Sequence, residues 1–229
     1  MLYNMMNGGY DSFTQVLISF FAYATIIFVM LPVHEYAHAF TAVKLGDPTP
    51  RGYGRLTLNP MAHLDLIGSL MIFLIGFGYA KPVPVNPHNF RSRRKGMALT
   101  AFAGPLSNLL MAILSVGLFR LYLLFSGGVF DPVNLRFDSE RTIYVYMVLI
   151  LIFARINVTL AVFNLLPIPP LDGSRIFSSI LPYRWTAWID RYFLVVQIAL
   201  FALIFTGTLE KPISLMVNGI MAIFGFNIR

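Results

Sequence analysis

Apolar stretches recur along the chain at residues 13–33, 66–80, 97–125, 142–166, 191–207 and 212–226. The first continues with helical spacing to about residue 45. A membrane crossing needs about 20 apolar residues, with a practical minimum near 17. By that measure most of these stretches predict transmembrane helices. The 66–80 stretch, LIGSLMIFLIGFGYA, is short, holds three glycines and runs into KPVPVNP. Short length, glycines and a proline stop predict a re-entrant segment that does not cross. The last stretch is also short. Over residues 51–58, RGYGRLTL, Arg51, Tyr53, Arg55 and Thr57 alternate with Gly52, Gly54, Leu56 and Leu58. Alternation predicts a strand or β-hairpin, against which the glycines count. The expected fold class is an all-α polytopic membrane protein. It has about five transmembrane helices, a re-entrant segment at 66–80 and a short strand near 51–58, in a single membrane-embedded domain over residues 1–229.

Composition sharpens this picture. The chain is 57% hydrophobic and 12% charged, with mean hydropathy +0.71. A soluble domain carries about 25% charged residues. There are no cysteines, which excludes disulfides and thiolate metal sites. The net charge of +7 reads as basic cytoplasmic loops facing the lipid bilayer, RSRRK at 91–95 above all, and not as nucleic-acid binding. The N-terminal MLYNMMNGGYD lacks the basic region of a secretory signal, so the first apolar stretch is expected to remain as a span. Residues 126–141 predict a polar loop between spans.

Against this apolar background, LPVHEYAHAF at 31–40 places His34, Glu35 and His38 inside a span. An ionisable group at membrane depth costs roughly 2.5–3.5 kcal/mol and faces a cavity or a partner. His34 and His38, four apart on a helix, project from one face. H-E-x-x-H on a helix is an arrangement in which two neutral imidazoles bind zinc and the glutamate serves as general base. A catalytic zinc takes a third protein ligand. Asp172, in NLLPIPPLDGSR, follows Pro167, Pro169 and Pro170, which break the helix ahead of it. Broken backbone at membrane depth is tolerated where it lines a water-filled cavity. On its residues alone Asp172 is open to two readings, an inward-turned metal ligand or the N-cap of an interfacial helix.

HEYAHA followed far downstream by NLLPIPPLDGSR resembles the site-2 protease family of intramembrane zinc metalloproteases. LTLNPMAHLDLIGSL, AKPVPVNPHNF and AGPLSN are similar to its small bacterial and archaeal members, and the resemblance covers about residues 20–182. It implies that His34, His38 and Asp172 hold one zinc per chain and that Glu35 is the catalytic base. It also implies that Asn164, eight residues before Asp172, helps bind substrate or the transition state, and that Asn108 lies near the site. The implied substrate is a transmembrane protein, cut within its membrane-spanning segment. No PDZ or CBS stretch is present in the sequence. The oligomeric state has no signature.

Metal ligands must meet at one depth. His34 lies towards the C-terminal end of the first span, and Asp172 follows the end of the 142–166 span. Those two spans then run in the same direction, with 97–125 opposite. Residues 46–96 must start and finish on one side, which agrees with a re-entrant 66–80. Residues 44–96 carry Lys44, Arg51, Arg55, Lys81, Arg91, Arg93, Arg94 and Lys95. The basic side is cytoplasmic. The N-terminus is expected outside, and the active site nearer the cytoplasm, in the plasma membrane of a prokaryote.

An unwound substrate would lie extended, and the strand at 51–58 is one candidate to hold it by edge addition. His63 and Asp65, in NPMAHLD, read as a capped turn with a hydrogen-bonded histidine more readily than as a second metal site. Arg120 lies near a span end and can snorkel. Arg155 lies deep in a span without an evident partner. The competing functions are a zinc transporter and a catalytically inactive membrane-protein binder. A transport path needs ligands strung across the membrane, whereas here they gather at one level.

Overall fold

The computed structural model describes residues 20–75, 78–126 and 141–226. The beginning of the first apolar stretch and most of the polar loop at 126–141 lie outside the described residues. Helix α1, Phe20–Lys44, contains a π-helical turn at Ile26–Met30, closed by the Leu31 amide on the Ile26 carbonyl. The wider turn lies just before Pro32, which has no amide hydrogen to give the ladder. Short helices α2, Thr49–Gly52, and α3, Pro60–His63, lead into α4, Leu66–Ile75. After a 3-10 turn at Pro87–Asn89 come α5, Arg93–Ser126, and α6, Arg141–Asn164. Helices α7, Asp172–Ile180, α8, Tyr183–Arg191, α9, Phe193–Phe205, and α10, Glu210–Ile223, complete the chain.

Helix α5 is the centre of the bundle, packing against α1, α6 and α7. Its Ala112 and Val116 meet Ala154, Val158 and Val162 of α6 and Val217 and Met221 of α10, all buried. Small side chains at this seam let the backbones approach closely, the usual basis of helix association in lipid. Leu106, Leu110, Ile113, Leu114, Leu118 and Leu121 of α5 point outward and are exposed. That pattern suits a helix whose outer face meets hydrocarbon. The seam is tied by polar contacts. Arg155 of α6 donates to Asn218 Oδ1 of α10 at 3.0 Å, which supplies the partner its sequence context lacks. Arg120 donates to the Phe224 carbonyl, just past the end of α10. A cation there satisfies a carbonyl left over at a helix terminus.

The apolar helices make this an integral membrane protein, and the described residues show two or three spans where about five are expected. Among the described residues, Phe20–Lys44 and Arg93–Phe125 are long and apolar enough to cross. Helices α9 and α10, 13 and 14 residues long, are bent by 77° and form at most one further span together. The bend lies at residues 206–209, where Gly207 takes a φ of +69° that glycine adopts without strain. The described apolar part of α6, Leu149–Asn164, is shorter than a full crossing.

No strand forms at 51–58; the described residues contain none. Local bonding defeats the alternating pattern there. Asp47 Oδ1 accepts from the Thr49 amide and hydroxyl, and the Gly52, Tyr53 and Arg55 amides bond to the carbonyls of Pro48, Thr49 and Pro50. Pro48 and Pro50 have no amide to offer a ladder, and Gly54 turns the chain with φ +67°. Asp47 is fully buried and also accepts from the Asn86 amide at 2.7 Å and Asn89 Nδ2 at 2.6 Å. Burial opposes its ionisation, but these hydrogen bonds outweigh burial and hold the carboxyl below its ordinary range. One buried carboxylate thus pins the 86–89 turn to the end of α1.

Residues 66–80 double back. The Lys81 amide donates to the His63 carbonyl at 2.8 Å, so the chain leaves this excursion where it entered. Gly68 packs on the backbone of Tyr79, and Gly78 on that of Gly68, with no room for a Cβ at either position. The glycines that weaken a spanning helix here allow two backbone runs to touch. His63 is buried and its Nε2 bonds to the Thr57 carbonyl at 2.8 Å, while Asp65 Oδ1 caps α4 through the Gly68 amide at 2.9 Å. This is the capped turn that the sequence favours over a second metal site.

Candidate metal centre

Helix α1 presents His34 and His38 on its buried face, towards α5. Thr100 of α5 lies beside His38 and Asn108 beside His34, so the two helices run antiparallel. Their close approach depends on Gly104. A Cβ at that position would come within 2.5 Å of the His38 ring and 2.6 Å of the His34 ring.

Asp172 arrives from the other direction. The proline-rich run after Asn164 ends α6, and Asp172 opens α7 with Leu171 as its N-cap. The Asp172 carboxylate does not cap the helix. Its Oδ2 lies 3.1 Å from His34 Nε2 and 3.3 Å from His38 Nε2. Gly173 makes this turn possible, because a Cβ there would collide with the carbonyl oxygens of Leu165 and Leu166.

The proton inventory shows what this group can hold. His38 Nδ1 lies 2.7 Å from the Thr100 carbonyl, which can only accept, so Nδ1 carries the hydrogen. His34 Nδ1 lies 3.0 Å from Asn108 Oδ1 and is held in the same tautomer. Both Nε2 atoms then direct lone pairs inward, 3.0 Å apart, with the Asp172 oxygen completing the triangle. Three Lewis bases facing one another repel unless a cation lies among them. Fixing the tautomer by a hydrogen bond at the other ring nitrogen is the usual support of a histidine ligand. Two imidazoles and a carboxylate form a donor set suited to catalytic zinc. Among the described residues this is the one group of three such side chains close enough to share an ion.

Glu35 points elsewhere. Its Oε2 accepts from the Val83 amide at 3.3 Å, on the segment leaving the 66–80 excursion. It stands one residue from a candidate ligand without joining the cluster. Asn164 ends α6, and its Nδ2 donates to the Leu160 carbonyl at 3.0 Å.

Peptidase family M50 matches residues 22–206, a stretch that contains His34, Glu35, His38 and Asp172. The chain belongs to peptidase family M50. It is 39% identical over 175 residues to a Bacillus subtilis protein named "Putative zinc metalloprotease YwhC", covering 75% of each chain. It is 36% identical over 149 residues to "Putative zinc metalloprotease Rip2" of Mycolicibacterium smegmatis, 62% of this chain and 51% of that one. A Rip2 protein of Mycobacterium tuberculosis matches at 33% identity over 149 residues, again 51% of its length. No solved structure matches. As an M50 peptidase the protein is a zinc metalloprotease, and the candidate site rests on parts that spacing alone does not announce. The Thr100 carbonyl, the Gly104 contact and the Val83 amide are such parts. The sequence signals for them are slight: AGPLSN contains Gly104 beside Pro105, and KPVPVNP places the Val83 amide between two prolines, which have none.

Proposed function

We propose that this protein is an intramembrane zinc endopeptidase that hydrolyses peptide bonds within the transmembrane segments of membrane proteins. The observation that carries the proposal is the convergence of Asp172 Oδ2 with His34 Nε2 and His38 Nε2, which stand on a helix long and apolar enough to span a bilayer. These three residues are the proposed zinc ligands, with one zinc per chain, and Glu35 is the proposed general base.

His34, His38 and Asp172 would hold zinc, which would supply Lewis acidity to activate water near neutral pH and polarise a carbonyl. Glu35 takes a proton from the attacking water onto its carboxylate and later delivers it to the nitrogen of the departing amine. Asn108 and the Thr100 carbonyl keep both imidazoles in the tautomer that leaves Nε2 free. Asn164 is proposed to bind substrate near the reacting carbonyl after its amide leaves the Leu160 carbonyl. A peptide bond inside a helix is shielded by its own turn, so the substrate must unwind locally. The 81–86 segment, held to Glu35 through the Val83 amide, takes the place of the absent strand as the candidate to hold substrate beside the proposed base.

The test is cleavage of single-span substrates by the purified protein in proteoliposomes. A zinc chelator is expected to abolish cleavage, and added zinc to restore it. A preparation that moves zinc across the bilayer and cuts no substrate would support a transporter instead.

The proposed orientation has the N-terminus outside and the site nearer the cytoplasm of a prokaryotic plasma membrane, on the positive-inside rule. The doubling back of residues 63–81 supports it, since an excursion that returns to its origin keeps both flanks on one side. The chain has no native cysteine, so single cysteines at Thr49 and Arg93 are clean probes. Both are expected to react with an impermeant thiol reagent from the cytoplasmic side. Labelling from opposite sides would mean that 66–80 crosses.

A further inference from the structure

A cavity of about 530 Å³ lies behind the Asp172 loop, between the start of α5 and helices α7 to α9. Its charged lining is Arg93 and Arg94, at the start of α5, and Arg175 of α7. Among the described residues no acidic side chain lines it. Among the described residues none of these three guanidiniums makes an ion pair. Three unpaired cations around one concavity repel one another, and an anion relieves that repulsion. Ser174, Ser178 and Ser179 also line the cavity, but their hydroxyls donate to the carbonyls of Leu171, Arg175 and Ile176, so the attraction rests on the arginines. The planar, forked guanidinium matches the oxygens of a phosphate.

The apolar lining is Met97, one helical turn from Arg93, with Ile189 and Phe193. Arg93 opens a helix long enough to span, and Phe193 opens the first half of the bent apolar pair. The cavity therefore lies at the ends of membrane helices, where headgroups meet acyl chains. We propose that it is a binding site for a phosphate-bearing anion, the phosphodiester of an anionic phospholipid. The phosphate sits on Arg93, Arg94 and Arg175, and the glycerol and upper acyl carbons lie along Met97, Ile189 and Phe193. Pro169, Pro170 and Ser174 also line the cavity, so the occupant touches the loop that carries Asp172. This site is separate from the metal centre, and its existence does not depend on the peptidase reading.

The test uses the purified full-length protein and native mass spectrometry with titrated phosphatidylglycerol or phosphatidylcholine. The variants are the triple Arg93→Gln/Arg94→Gln/Arg175→Gln, the single Arg175→Gln and a charge-matched control, Arg51→Gln/Arg91→Gln/Lys95→Gln. The control removes as many charges from exposed positions that do not line the cavity. Wild type is expected to bind phosphatidylglycerol about tenfold or more tighter than phosphatidylcholine. The triple variant should lose that preference, Arg175→Gln part of it, and the control none. If the triple variant does not fold, the graded loss in Arg175→Gln carries the test. Displacement of the lipid by millimolar inorganic phosphate would support the phosphate site while assigning it to a soluble source. Equal loss in the pocket and control variants, or undiminished binding by Arg175→Gln and the triple variant, overturns the proposal.

Discussion

Glu35→Gln is expected to lower peptidase activity by about 10²–10⁴-fold, the usual worth of a positioned acid–base group. Zinc content should stay near one per chain. The change keeps the size of the side chain and an oxygen able to accept from the Val83 amide, now 3.3 Å from Glu35 Oε2. It removes only the capacity to hold a proton at the pH of the reaction. Because Glu35 stands outside the triangle of His34, His38 and Asp172, loss of its charge leaves the ligand set whole. Substrate should still bind, and it should accumulate uncut with the enzyme. A variant that keeps its zinc and cleaves at the wild-type rate would move the base to another residue. An inactive binding protein would show no difference between the two forms.

Asp172→Ala should have the opposite signature, with zinc lost along with activity. Loss of a group that merely supports a ligand lowers metal affinity by roughly 10–100-fold. Loss of the one anionic ligand should exceed that and leave the purified protein largely without zinc. The fold should survive better than the site, because the α5–α6–α10 seam of Ala112, Val158 and Met221 lies apart from Asp172. Zinc measured by elemental analysis after dialysis, beside the thermal unfolding of the same sample, separates the two effects. Full zinc occupancy in Asp172→Ala would remove it from the ligand set.

The two variants divide the site along the line between what the sequence makes legible and what it does not. His34, Glu35 and His38 are legible because four residues of helix fix which face a side chain takes, and because charge in an apolar span demands a partner. Asp172 is not legible from spacing. It lies 138 residues from His34 along the chain, and its own surroundings suit a helix cap equally well. The resemblance implies it as a ligand, and its carboxylate faces both imidazoles instead of capping α7. The excursion at 66–80 was readable from its length and glycines, and the reason is physical: Gly68 and Gly78 lie where the outgoing and returning backbones touch.

The failures are equally local. Alternation at 51–58 looked like a strand, but the prolines and buried Asp47 just upstream close tight turns before any ladder can form. Hydropathy marks 191–207 and 212–226 as two apolar stretches, the second short, and does not register the 77° bend between their helices. Arg155 had no visible partner because Asn218 is 63 residues away, on a helix whose packing the pattern of α6 does not specify. Gly104 is legible as part of AGPLSN and not for its contact with His34 and His38. That a missing side chain makes room for two imidazoles is a property of the assembled helices.

X-ray absorption at the zinc edge of the purified wild-type protein tests the central claim most directly. The site described here predicts one zinc per chain, with the multiple-scattering pattern of two imidazole rings and light-atom ligands completing the shell. Zinc with one imidazole or none in its shell, or an active protein without zinc, would contradict it.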